Sequence, residues 1–197
     1  IPLLISGLAL VFIFSYQTGQ LSDKVLKVIF CDVGQGDAIY IRTPGGVDVL
    51  VDGGPGNRVL DCLSRNMPVW DREIELVFAT HPDADHITGL VDVLKSYTVK
   101  SFNTVSATKK TRIFASLKQA ISDQKIPYQE IAAGSKFRLE DGVVIETKWP
   151  PAQRALRPGG PAEQFESTDT NEYSLVQHLK FGEFDLLLTG DITYQIL

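Results

Sequence analysis

The chain has 197 residues, enough for one domain of ordinary size with a substantial core. Its 19 basic and 24 acidic residues give a net charge of −5, which excludes a generally basic nucleic-acid coat but leaves room for a local basic strip. Two cysteines, Cys31 and Cys62, exclude a disulfide scaffold and a cysteine zinc finger, and read better as buried small apolar residues than as a disulfide pair.

The chain opens IPLLISGLALVFIF and carries no charge before Asp23. This run is shorter than the roughly 20 residues that span a bilayer, and no polar face recurs at helical period. Residues 1–16 are therefore expected to be the end of a transmembrane helix, 17–25 a linker and 26–197 one domain. LKVIF, DAIYIRT and VDVLVD follow as short apolar or alternating runs separated by glycine-rich turns, which predicts an antiparallel meander. Residues 57–66 show helical spacing and stop at Pro68. EIELVFAT reads as a strand that runs into HPDADH, and ITGLVDVLKSY as the helix after it. A strand over 99–105, an amphipathic helix over 109–124 and two or three strands over 128–148 come next. Residues 149–169 carry four prolines and are expected to be a long loop; YSLVQHLKFG and EFDLLLTG form a closing hairpin. Alternation of strand and helix predicts an α/β domain.

The chemistry gathers at strand ends. THPDADH places His81, Asp83, Asp85 and His86 within six positions between a strand and a helix, and the whole chain holds only three histidines. Imidazole and carboxylate are ligand types for Zn, Mn or Fe. In an extended loop alternate side chains point the same way, so His81, Asp83 and Asp85 are expected to converge while His86 turns in at the helix start. A helix cap accounts for one aspartate, not for two aspartates and two histidines. Asp191 ends LLLTGD and is a bridging candidate once a metal loop is present. Asp52, in VLVDGGP, is expected to orient the metal loop rather than ligate. Asp32 and Asp37 flank VGQG as turn acids with a similar supporting role. His178, alone in mid-strand, is not expected to ligate.

HPDADH with an upstream DGG and a downstream TGD resembles the metallo-β-lactamase fold superfamily. Taken with FCDVGQGDAIYI and NEYSLVQHLKFGEFDLLLTGDI, it resembles the C-terminal domain of the ComEC competence proteins, over roughly residues 26–192. The resemblance implies an αββα sandwich and a metal-dependent hydrolase that cuts DNA phosphodiesters during DNA uptake. It implies one or two divalent ions, Mn or Zn: His81 and Asp83 on the first, Asp85 and His86 on the second, Asp191 bridging and Asp85 also orienting the attacking oxygen. Asn171 stands where many superfamily members have a further ligand and is grouped with the supporting residues. An HHGS segment usual in that family lies past Leu197, so a second sheet short of strands and at most one tightly held ion are expected of this chain. The implied partners are DNA, the membrane and other competence proteins, at the outer face of a bacterial cell membrane. A metallo-hydrolase of another substrate, such as a lactone or thioester, and a non-catalytic extracellular module of the channel are the alternatives.

Overall fold

In the computed structural model, residues 7, 25–152 and 170–193 are described. The apolar N-terminal run, apart from Gly7, most of the proline-rich loop and residues 194–197 lie outside them. Among the described residues no helix is long and apolar enough to cross a membrane.

Three strands open the domain as the expected meander: β1 (Lys27–Phe30), β2 (Ile39–Arg42) and β3 (Asp48–Val51). Helix α1 (Arg58–Asn66) follows. The expected strand EIELVFAT divides into β4 (Glu73–Ile74) and β5 (Leu76–Ala79). The break falls at Glu75, whose amide donates to the Asp48 carbonyl while its carboxylate accepts the Asp48 N–H at 2.7 Å. Helix α2 (Ala84–Ser96) leads to β6 (Thr98–Val99) and β7 (Phe102–Thr104), again two strands where one was expected. Helix α3 (Arg112–Asp123) starts three residues later than the expected position 109, because the Thr111 hydroxyl caps it by accepting from the Phe114 N–H. Then come β8 (Tyr128–Glu130), β9 (Lys136–Arg138), β10 (Val144–Trp149), a 3-10 turn (Thr170–Tyr173), β11 (Val176–Phe181) and β12 (Phe184–Leu188).

Six strands make the first sheet in the order β1-β2-β3-β5-β7-β8, antiparallel to β3 and parallel from there on. The second sheet is antiparallel, β12-β11-β10-β9, and β4 pairs with β6 apart from both. The period-two alternation of β2 and β3 feeds two cores. Tyr40 and Leu50 face the helices with Val59, Leu63, Leu90, Val93 and Leu117. Ile41, Val49 and Val51 face the second sheet with Ile145, Leu175 and Leu179. The described residues thus form three layers, helices, sheet and sheet, of the four that the resemblance implies.

The cysteine expectation is corrected. Cys31 and Cys62 are joined in a disulfide, tying the end of β1 to α1. A spacing of 31 residues carried no pairing signal; the fold sets α1 against the turn that follows β1.

Candidate metal centre

Parallel strands β3 and β5 end side by side, and their last turns carry the site. Asp52 follows β3 with φ +58°, a left-handed conformation rare for residues other than glycine, while its amide donates to the Phe78 carbonyl. The fully buried carboxylate turns toward the 80–86 loop. One oxygen accepts the Thr80 N–H at 2.8 Å; the other accepts the Thr80 hydroxyl at 2.6 Å and the His86 Nδ1 at 2.9 Å.

These bonds set both imidazole tautomers. His86 uses Nδ1–H on Asp52, leaving Nε2 a lone pair when the ring is neutral. The Thr80 hydroxyl has one proton and spends it on Asp52, so at 3.0 Å from His81 Nδ1 it accepts a ring N–H. His81 Nε2 is then also a lone pair. Both Nε2 atoms are buried and without a protein hydrogen-bond donor or acceptor, and the rings lie 4.2 Å apart. Asp191, on the turn after β12, has an oxygen 3.4 Å from His86 Nε2. Its backbone N–H donates to Ser174 Oγ at 3.3 Å, and that hydroxyl also lies 3.1 Å from His81 Nδ1.

His81, His86 and Asp191 each offer a ligand atom within 4.8 Å of the others. Asp37, Asp52 and His86 form a second such group. Two neighbouring nitrogen lone pairs with a carboxylate beside them fit a divalent ion of the Zn or Mn type, and orphaned buried imidazole nitrogens are what such an ion would satisfy.

The structure places the other expected residues differently. Asp83 stands at the N-cap position of α2 without a side-chain capping hydrogen bond, and it belongs to neither ligand group. Its carboxylate accepts Lys109 Nζ at 2.7 Å and the Thr170 hydroxyl, which hold its pKa below the usual carboxylate value against the opposing effect of burial. Asp83 and Asp85 stand outside both ligand groups, although the Asp83 charge acts on His81; the chain enters α2 at Ala84, so Asp85 and His86 follow helical rather than alternating geometry. Asp85 is half-buried on the first turn of α2 and belongs to neither ligand group, though its charge helps to raise the pKa of His86. Asp32 is exposed. Asn171 lies in the 3-10 turn, where its carbonyl accepts the Ser174 N–H. His178 pairs with Asp185 at 2.7 Å, well apart in the fold on the second sheet. Asp37 sits at the end of the 32–37 loop, which is pressed so tightly on α2 that a Cβ on Gly36 would stand 2.0 Å from the Asp85 carbonyl oxygen. Gly36 also has φ +93°, so no other residue fits there without moving the loop. Thr80, Ser174, Lys109 and Thr170 had no signal of their own in the sequence; three of them come from segments remote from HPDADH.

Burial lowers the pKa of His86, but Asp52, Asp191 and Asp85 outweigh it and bring it up to about 9. His81 is held below the usual histidine value by burial and by His86. Burial and Asp52 raise the Asp37 carboxyl. In the metal-free chain the His86 proton contributes stability that is complete below the unfolded value of 6.5 and fades as pH rises through about 9. A cation has to displace that proton. Metal affinity is therefore expected to climb from pH 6.5 to 9, with about one proton released per ion. Calorimetric titration in buffers of different ionisation enthalpy reads this directly; affinity flat over that range with no proton release would contradict it.

The family model described as beta-lactamase superfamily domain matches residues 48–191, from β3 through Asp191. Similar solved structures include zinc-bound PqqB from Methylobacterium extorquens, at 17% identity over 77% of this chain and 47% of that one, with a TM-score of 0.46. A metallo-β-lactamase with a HARLDQ motif from Cronobacter sakazakii is 14% identical over 82% of this chain and 55% of its own, TM-score 0.49. Igni18, a metallo hydrolase from the archaeon Ignicoccus hospitalis, is 15% identical over 85% and 61%, TM-score 0.49. The chain spans about half the length of the first two.

Proposed function

This chain belongs to the beta-lactamase superfamily domain family, and on that premise we propose that it is the metal-dependent hydrolase domain of a ComEC-type DNA-uptake protein, acting on DNA phosphodiesters. The observation that carries the hydrolase part is the pair of buried imidazoles, His81 and His86, whose unpartnered Nε2 atoms lie near Asp191.

His81, His86 and Asp191 would hold the ion, which when bound supplies Lewis acidity at a phosphoryl or carbonyl oxygen. Asp52 keeps the His86 ring oriented and its Nδ1 protonated; Thr80 and Ser174 do the same for His81. Asp37, grouped with Asp52 and His86, would be the carboxylate to take a proton from an attacking water, and Asp85, whose charge acts on His86, would be the other candidate. Asp83, tied to Lys109 and Thr170, braces the 109–112 segment against the metal loop.

A local charge favours DNA over a neutral substrate. Residues 107–122 hold Lys109, Lys110, Arg112 and Lys118 and no acid, in a chain of net charge −5. Lys109 meets the site through Asp83. Lys118, its Nζ 3.6 Å over the Tyr128 ring, lines with Tyr128 the crevice that His81 and Pro82 also line. Such a strip suits a phosphate backbone. The Cys31–Cys62 disulfide supports an oxidising compartment, in keeping with the outer face of a bacterial membrane.

The test is cleavage of single-stranded and duplex oligonucleotides with added Mn or Zn. Metal-dependent cutting that is lost in His81→Ala supports the proposal. Replacing Arg112 and Lys118 by Ser should weaken DNA binding and reduce the slope of log affinity against log salt by about one to two. Turnover of lactones or thioesters without cutting DNA would sink the nuclease assignment, and no metal-dependent turnover of any of them would leave a binding module.

A further inference from the structure

Among the described residues, two adjacent exposed large apolar side chains lie at one turn, Pro68 to Asp71, between α1 and β4. Val69 is 77% exposed and Trp70 58%. The turn closes with the Asp71 N–H donating to the Pro68 carbonyl, and Asp71 pairs with Arg42 at 3.2 Å. Arg42, in turn, is the strand partner of Lys27, the first residue of β1. The turn is therefore beside the point where the chain enters the domain, and Val25, at that entry, is 52% exposed as well. Fourteen nearly continuous apolar residues stand upstream in the sequence, and the ten residues between Phe14 and Val25 reach at most about 35 Å. Arg65 and Arg72, both exposed, flank the turn, and Arg72 donates to the Tyr97 hydroxyl at 3.2 Å.

We infer that the Val69–Trp70 turn is a membrane-docking contact, inserted at the headgroup level of a phospholipid bilayer. The inference rests on residues 1–16 being a membrane anchor. An indole is suited to that depth, with an apolar ring and an N–H donor, and Arg65 suits a lipid phosphate. The contact also orients the site. Arg42 faces Asp48, the first residue of β3, whereas Asp52 follows its last, about 13 Å further along the strand. With the turn on the lipid, the site lies about 13 Å from the Arg42–Asp48 level, with Asp191 its exposed member.

The experiment uses the full chain with vesicles of phosphatidylcholine and phosphatidylglycerol, with and without a brominated phosphatidylcholine. The difference in emission between the native chain and Trp70→Phe isolates Trp70, a change at an exposed turn that leaves the core intact. Lipid-borne bromine is expected to quench that difference about twofold, and Val69→Ser to reduce the quenching. Alkaline extraction of the same vesicles reads the anchor separately. Quenching in chains that resist extraction supports both; quenching in chains that are extracted keeps the docking contact and overturns the anchor. Chains that resist extraction without Trp70 quenching overturn the docking contact alone, and shielding of Trp70 from acrylamide in that case would show protein covering the turn. Neither retention nor quenching overturns both.

Discussion

Removal of the Asp52 carboxylate in Asp52→Ala is expected to lower divalent-metal affinity about 10 to 100-fold and to destabilise the metal-free domain by about 3 kcal/mol or more. Three buried donors lose their acceptor at once: the Thr80 N–H, the Thr80 hydroxyl and His86 Nδ1. The two effects can be separated with Asp52→Asn. An asparagine tolerates the left-handed backbone at φ +58° and keeps an oxygen for the Thr80 N–H. Its amide N–H groups, however, face Thr80 and His86 as donors. That drives the His86 proton to Nε2, where the ion needs a lone pair. Asp52→Asn should therefore recover much of the stability and little of the affinity. Denaturant unfolding and metal titration on the two variants decide the matter; Asp52→Asn binding metal like the native chain would refute the role given to this carboxylate.

Replacing Cys31 and Cys62 together by serine is expected to cost about 3 to 4 kcal/mol of stability, the loop-closure value for a separation of 31 residues. The loss should reach the site as well. Cys31 begins the 31–38 loop, closed by its N–H donating to the Ala38 carbonyl, and Asp37 is carried on that loop beside Asp52 and His86. Unfolding under oxidising and reducing conditions measures the first effect. Equal stability of the native chain in both would show the bridge to be dispensable.

Much of the frame was legible because the period of the side chains reports burial. The meander, the helix after HPDADH and the closing hairpin all follow from it. What failed were interruptions set by single polar groups: Glu75 splits one strand by bonding across to Asp48, and Thr111 delays a helix by capping it. At the site, HPDADH and DGG pointed to the turns that bring His81, His86 and Asp52 together, since acids and histidines at the ends of apolar strands have few structural uses. The division of labour within the loop was not legible. Asp83 is drawn off by Lys109 and Thr170, which lie 26 and 87 residues away. Ser174 reaches His81 over 93 residues. Spacing within a motif says nothing about partners that arrive from elsewhere in the fold, and the disulfide escaped for the same reason.

The central claim is that His81 and His86, set by Asp52 and Thr80, form with Asp191 a divalent-metal centre. Calorimetric titration of the metal-stripped chain with Zn and with Mn, at pH 8, tests it most directly, alongside His81→Ala, His86→Ala and His178→Ala. At least one ion should bind the native chain and His178→Ala alike, while His81→Ala and His86→Ala each lose affinity by about 100-fold or more. Equal binding by all four chains, or loss confined to His178→Ala, would contradict it.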